Sequence, residues 1–235
     1  MKTSELLIVG GQLSDNNRKM RTLIKVFGTM ITLNVVVISM LVYFTPGVRG
    51  SGVMLTETIQ LERFDRLTLE GLGTARIAFG GESSLEITTD ENMLPLLDIH
   101  VEDGTLVIRS KEEIRPSVLL LLVKTPILHG IDLVDGPSIE VTDFSGETFS
   151  ISIRGQGKAH VTGLVNQLAV KITGNGIVQA QELIGKEATI DIQGDGDVTV
   201  HTTERLVVNC EGSGKVRYSG SPAVEGDCSG DVKSI

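Results

Sequence analysis

From residue 151 onward, apolar and polar residues alternate in short runs that break at Gly-x-Gly. FSISIRGQGKAHVTG, LAVKITGNGIVQAQE, ATIDIQGDGDVTVHT and LVVNCEGSGKVRYSG succeed one another along the chain. Period-two alternation puts successive side chains on opposite faces of a strand. The inward set before the turn is Ile151/Ile153, Val170/Ile172, Ile190/Ile192 and Val208/Cys210. After the turn it is Ala159/Val161, Val178/Ala180, Val198/Val200 and Val216/Tyr218. The second glycines, Gly157, Gly176, Gly196 and Gly214, lie 19, 20 and 18 residues apart. Weaker copies flank them: GIDLVDGPSIEVT, with Asp135-Gly136-Pro137 at the turn, and DCSGDVKSI, with Cys228 in the place of the first glycine. A distant copy, RLTLEGLGTARIAF, surrounds Gly71 and Gly73. The structural turn residues are therefore read as Gly71, Gly73, Gly155, Gly157, Gly174, Gly176, Gly194, Gly196, Gly212 and Gly214. Glycine reaches backbone conformations closed to other residues and lets two strands meet at a sharp corner. A third, less regular segment carries Phe144, Leu164 and Leu183 at matching corners.

A repeat of 18–20 residues with two or three short strands fits one coil of an all-β, parallel β-solenoid. Equivalent strands would stack roughly 4.8 Å apart, with like side chains in ladders. An antiparallel meander is the alternative, but similarity at a fixed offset favours stacking, which puts like on like. Residues 53–130 are less repetitive. Strands are predicted over 56–61, 66–69 and 118–124, and one helical turn within 90–97 around Pro95. Asp103-Gly104 between two alternating runs is a hairpin signal. This half reads as the first coils plus a cap, and 51–235 as one domain.

The leader differs in kind. Residues 26–44, VFGTMITLNVVVISMLVYF, contain no charge and come directly after Arg18, Lys19, Arg21 and Lys25. Such a segment behind a basic stretch directs the downstream chain across a membrane. Its 19 residues exceed the usual signal-peptide core and just reach a bilayer span of about 20. A retained transmembrane anchor and a signal peptide cleaved before Ser51 both fit. Residues 1–25 read as a cytoplasmic stub and basic n-region, with Met20 an alternative start.

Composition sharpens this picture. Residues 1–50 carry six basic and two acidic residues, a net of +4, so the remaining 185 carry −9 − 4 = −13. An acidic domain does not neutralise phosphates, which argues against nucleic-acid binding. Gly 27 stands beside Trp 0, Tyr 2 and Phe 6, which suits narrow coils filled by Val, Ile, Leu and Ala. Cys210 falls at an inward position and Cys228 at a turn position, two residues out of register. A disulfide is open to them in an oxidising compartment, though this threading misaligns them.

Candidate chemistry is sparse. A phosphate-cradling glycine loop needs a helix behind it, and here strands succeed the glycines. Gly194-Asp195-Gly196-Asp197 could suggest calcium, but Lys158 and Lys215 occupy the Asp197 position in other coils. That is a charge ladder rather than a site of six to eight oxygens. The outward ladders Ser152/Lys171/Asp191/Asn209, Arg154/Thr173/Gln193/Glu211 and His160/Gln179/Thr199/Arg217 contain no carboxylate pair set for acid–base work. His100, His129, His160 and His201 lack metal-ligand spacing. No catalytic residue, cofactor or metal is expected.

Gly50-Ser51-Gly52, Phe64-Asp65-Arg66-Leu67, Asp90-Glu91-Asn92 with Leu94-Pro95, Asp103-Gly104-Thr105-Leu106 and the Gly-x-Gly coils together resemble the head GIN domain family. These are bacterial envelope proteins labelled auto-transporter adhesins, and the resemblance spans nearly all of 50–233. It implies a right-handed parallel β-helix exported beyond the inner membrane, and no known reaction. Many relatives carry a lipoprotein cysteine just before the Gly-Ser-Gly; here Gly47 lies nearby and no cysteine does. The resulting expectation is a non-catalytic adhesion, scaffold or protein-interaction module on the extracytoplasmic face of the envelope. It would be anchored through 26–44 or released, with an envelope protein or itself as partner. A carbohydrate-active or glycan-binding β-helix is the alternative.

Overall fold

The computed structural model describes residues 47–71 and 73–235. The predicted stub 1–25, the hydrophobic segment 26–44 and the Met20 start lie outside them. No helix among the described residues is long and apolar enough to cross a membrane.

The first strands are β1 (Val48–Arg49), β2 (Met54–Gln60), β3 (Arg66–Glu70), β4 (Thr74–Phe79) and β5 (Ser84–Asp90). A single 3-10 turn, Leu94–Leu96, precedes β6 (Leu97–Glu102), β7 (Thr105–Ser110), β8 (Ile114–Arg115) and β9 (Leu119–Thr125). Then come β10 (Gly130–Val134) and four long strands, β11 (Ser138–Gly155), β12 (Lys158–Gly174), β13 (Ile177–Gly194) and β14 (Asp197–Glu211). β15 (Lys215–Ser219), β16 (Ala223–Glu225) and β17 (Asp231–Ser234) close the chain.

The repeats stack as a parallel solenoid of about five turns. In the first limb of each coil, Leu67, Ile131, Ile151, Val170, Ile190 and Val208 are register partners. In the second limb, Ala75, Ile139, Ala159, Val178, Val198, Val216 and Val232 form the matching ladder. All except Val232 are buried. A narrow core of branched aliphatics satisfies both limbs, because β-branched side chains pack well on a pleated surface. The turn glycines lie between these limbs. A Cβ on Gly174 would sit 2.6 Å from the Gly155 carbonyl oxygen, and one on Gly194 would sit 2.7 Å from that of Gly174. The second glycines face isoleucines instead: a Cβ on Gly176 would lie 2.7 Å from Ile153 Cγ2, and on Gly196 2.9 Å from Ile172 Cγ2.

The cap is built differently from a simple leading coil. Residues 80–129 interrupt the path between β4 and β10, which stack on successive coils. Within that stretch β7 pairs in parallel with β3, and β9 with β4, so β7 and β9 form a coil on the far side of β3–β4. The chain then returns to lay β10 against β3. β6 and β7 form the antiparallel hairpin expected at Asp103-Gly104. β5 extends the second-limb sheet antiparallel to β9, and β2 adds antiparallel to β5.

Two sequence readings need correction. Leu164 does not join Phe144 and Leu183. Gly163 pairs with both, while Leu164 points outward at 57% exposure. A bulge between Val141 and Phe144 shifts the corner by one residue. The cysteines are also in register: Cys210 and Cys228 form a disulfide with Cα atoms 4.2 Å apart. The last corner is two residues shorter than the others, since Lys215 pairs with Asp231 whereas Cys210 pairs with Cys228. Ser229 fills the gap, its hydroxyl accepting from the Gly212 amide at 3.0 Å and lying 3.0 Å from the Cys210 carbonyl oxygen. Alignment on the turn therefore misplaced Cys228.

Candidate functional site

The third limb, between the second limb of one coil and the first of the next, carries the larger of the described hollows; a smaller one of about 170 Å³ lies on the first limb over Lys171, Asp191 and Asn209. Its outward residues recur with the coils: Glu147, Asn166 and Lys186 in one row, and Thr148, Gln167, Glu187 and Arg205 in the next. Three adjoining hollows of about 470, 300 and 380 Å³ run along these rows. The first is flanked by Leu164 and Ile184, register partners that are 57% and 48% exposed. The second gathers Glu147, Glu187, Glu204 and Lys186. The third runs past Gln167 and Thr189 to Arg66 and His129. Asn166 donates to Glu147, and Gln167 Nε2 donates to Glu187 Oε2 at 3.4 Å. The groove is polar and hydrogen-bonded, with one aliphatic step at Leu164 and Ile184.

The sequence reading missed this face. The ladders evident in the alternation lie on the two regular limbs, where the structure places all three rows in register. There the polar groups engage one another: Asn209 Nδ2 donates to Asp191 Oδ1 at 2.8 Å. Arg217 Nη2 holds both oxygens of Asp197, at 2.7 and 2.9 Å. An arginine on Asp197 is the opposite of what a calcium site needs. The third limb lacks clean alternation, and its only signal was the spacing of Glu147, Asn166 and Lys186, 19 and 20 residues apart.

Asp65, His129 and Ser150 gather beside the third hollow, with His129 Nδ1 3.4 Å from Asp65 Oδ2. They do not make a nucleophile and base. The Ser150 hydroxyl lies 3.4 Å from the His129 carbonyl and accepts from Arg66 Nη2 at 3.3 Å. A serine nucleophile requires a general base on its hydroxyl, and this hydroxyl meets a backbone carbonyl and a guanidinium instead. No cluster of three or more His, Cys, Asp or Glu among the described residues could hold a metal.

A second constellation joins two motifs far apart in sequence. The Gly52 amide donates to Asp90 Oδ1 at 2.7 Å, and the Ser51 amide to Asn92 Oδ1 at 2.9 Å. Asn92 Nδ2 returns a hydrogen bond to the Arg49 carbonyl at 2.8 Å. Ser117 adds its amide to Asp90 Oδ2 at 2.7 Å and its hydroxyl to Oδ1 at 2.9 Å. Asp90 and Asn92 thus clasp the Gly50-Ser51-Gly52 segment to the cap. Burial pushes the Asp90 carboxyl up, but the Ser117 and Gly52 amides and the Ser117 hydroxyl outweigh it and hold it below the usual carboxylate range. A depressed folded-state value means stability that is present above the unfolded value and lost as pH falls through the folded one. Acid denaturation should therefore be steeper below about pH 4 for the native chain than for Asp90→Asn, and urea titrations at pH 7 and pH 3 read the difference.

A family model described as "Putative auto-transporter adhesin, head GIN domain" matches residues 63–222. No curated relative matches the chain. Among solved structures, a "putative adhesin" from Bacteroides fragilis NCTC 9343 is 20% identical with a TM-score of 0.59, over 80% of this chain and 100% of that one. A "Putative lipid binding protein" from Parabacteroides distasonis ATCC 8503 is 21% identical with a TM-score of 0.52, over 81% of this chain and 100% of that one. At these identities the likeness is one of fold.

Proposed function

The chain belongs to the head GIN domain family, and from that premise we propose that it is an exported envelope protein acting by non-catalytic contact through the third-limb groove. The observation that carries this reading is the Leu164–Ile184 step, two large aliphatics held outward side by side on an otherwise polar face. Exposed apolar residues rimmed by polar ones mark protein contact sites. The Cys210–Cys228 disulfide accords with an oxidising compartment outside the cytoplasm. Residues 26–44 supply the membrane anchor or the export signal.

Crosslinking in intact cells, with mass spectrometry of the products, tests the reading. Adducts from Lys186 to an envelope component are expected. The double variant Leu164→Asp with Ile184→Asp should reduce them about tenfold, as loss of a central apolar contact does. Undiminished adducts would remove the groove from the proposal.

A second reading is favoured by one specific observation, the convergence of Glu147, Glu187, Glu204 and Lys186 on one hollow. Carboxylates with a basic residue suit a glycan-binding or carbohydrate-active site. Retention on a panel of envelope polysaccharides, or their depolymerisation, that disappears in Glu187→Gln would favour it over protein contact.

A further inference from the structure

Every sheet of an open solenoid ends in strands whose outer backbone groups are unpaired, and soluble proteins blunt such edges with charge, proline or brevity. The edges of this molecule differ sharply in that protection. β6 carries Asp98, His100 and Glu102 within six residues. β17 has four residues, of which Asp231 and Lys233 are charged. β2 has seven residues, no proline, and Glu57 as its one charge. Among the described strands it pairs only with β5. It is also exposed on both faces except at Ile59, with Met54 and Leu55 at 45% and 42% exposure and Val53, just before it, at 55%.

The direction of its free backbone groups is set by its ends. The Glu91 amide donates to the Val53 carbonyl at 2.9 Å, and the Leu61 amide donates to the Ser83 carbonyl at 3.0 Å. Odd-numbered residues from 53 to 61 therefore turn toward β5. Met54, Thr56, Thr58 and Gln60 turn their amides and carbonyls to the open side.

We propose that β2 is a self-association edge, two copies pairing β2 against β2 antiparallel about a two-fold axis at Thr56. An isologous antiparallel pair is self-complementary. In this register Thr56 faces the second copy's Thr56, and Met54 faces the second copy's Thr58. Met54, Thr56 and Thr58 then each exchange both backbone hydrogen bonds with their partners. Val53 lies opposite the second copy's Ile59, which brings the exposed apolar start of the strand against apolar surface. Leu55 lies opposite Glu57. Moving the axis to Glu57 would set two carboxylates face to face, which is destabilising. Five residues of β2, 54–58, then lie opposite one another, a pairing at the small end of specific interfaces, below about 1,200 Å². The association is therefore reversible and concentration-dependent.

The test uses the full-length chain carrying Thr56→Cys under mild oxidation. Hydrogen-bonded antiparallel partners have Cα atoms about 5.5 Å apart, within disulfide reach. A reducible dimer is expected for Thr56→Cys. Little is expected for Thr58→Cys, whose two copies would stand about 14 Å apart along the strands, or for Lys233→Cys on β17. A Thr56→Cys chain that stays monomeric overturns the proposal, including where residues upstream of Gly47 cover the edge. So does equal capture at Lys233→Cys, stronger capture at Thr58→Cys, or a crosslinked band of another mass. Thr56→Pro removes an amide that no strand of the same copy uses, and proline is tolerated on the open side of an edge strand. It should sediment as a monomer at concentrations where the native chain dimerises, and at dilutions where both are monomeric its melting temperature should stay close to the native one. Native-like sedimentation would overturn the pairing, and Thr56→Lys serves as the edge-blocking variant if the proline chain does not fold.

Discussion

A Gly194→Ala variant is expected to lose about 2–4 kcal/mol of stability, from a strained backbone and a backbone collision together. Gly194 has φ +122°, a region that residues with side chains rarely adopt. The added Cβ would sit 2.7 Å from the Gly174 carbonyl oxygen of the coil below, and that oxygen cannot swing aside like a side-chain tip. Moving it would open the stack between β12 and β13. Gly52 provides the control. Its φ is +80°, yet a Cβ there would meet nothing within 4 Å. Gly52→Ala should therefore show the backbone cost alone, about 1 kcal/mol. Urea denaturation monitored by far-UV circular dichroism reads both, with the midpoint falling and the slope preserved. Equal losses at the two sites would mean that the glycine stack does not set coil spacing.

That collision also explains why the coils could be read from the chain. When equivalent residues stack directly, the physical demand at one coil is repeated at the next. Leu67, Ile131, Ile151, Val170, Ile190 and Val208 face the same neighbours and are filled from the same few residue types. Asp135 marks the exception. It occupies the first-glycine place of its coil with φ +58°, a left-handed conformation that aspartate tolerates better than most residues.

Features that break the repeat were not legible in this way. The return of the chain from β9 to β10 depends on pairings between residues far apart, such as Leu121 with Ala75, which no periodicity reports. Cys228 was misplaced because the corner at Ser229 lost two residues while the strand pairing did not. The clasp was present in the sequence only as two separate motifs, Gly50-Ser51-Gly52 and Asp90-Glu91-Asn92. The third-limb groove was hidden for a related reason. Its bulges, between Val141 and Phe144 and between His160 and Thr162, restart the alternation at different points in successive coils. The residues with the most functional interest thus sit where the stacking constraint is weakest.

Phe149→Ala should be the most damaging side-chain truncation, at about 3–5 kcal/mol. Phe149 is buried to 1% exposure, with its ring 4.5 Å from that of Phe144. Phe144 in turn meets Phe79 edge-on at 5.9 Å. This aromatic cluster fills the core where the coils begin to give way to the cap. Farther along, the same ladder position is filled by Leu168, Ala188, Leu206 and Val224. The position therefore accepts an aliphatic residue by shape, and the demand for a ring comes from Phe144 and Phe79 alone. Phe149→Leu should accordingly cost only about 1–2 kcal/mol, reflecting lost volume and the aromatic pairing. Because Phe149 also borders the hollow between Thr148 and Gln167, the alanine variant should weaken whatever the groove holds, while the leucine variant should not. The chain has no tryptophan, so urea titration by circular dichroism is the suitable measurement. Alanine and leucine variants of equal stability would show that the ring cluster, rather than the filling of this ladder, secures the junction.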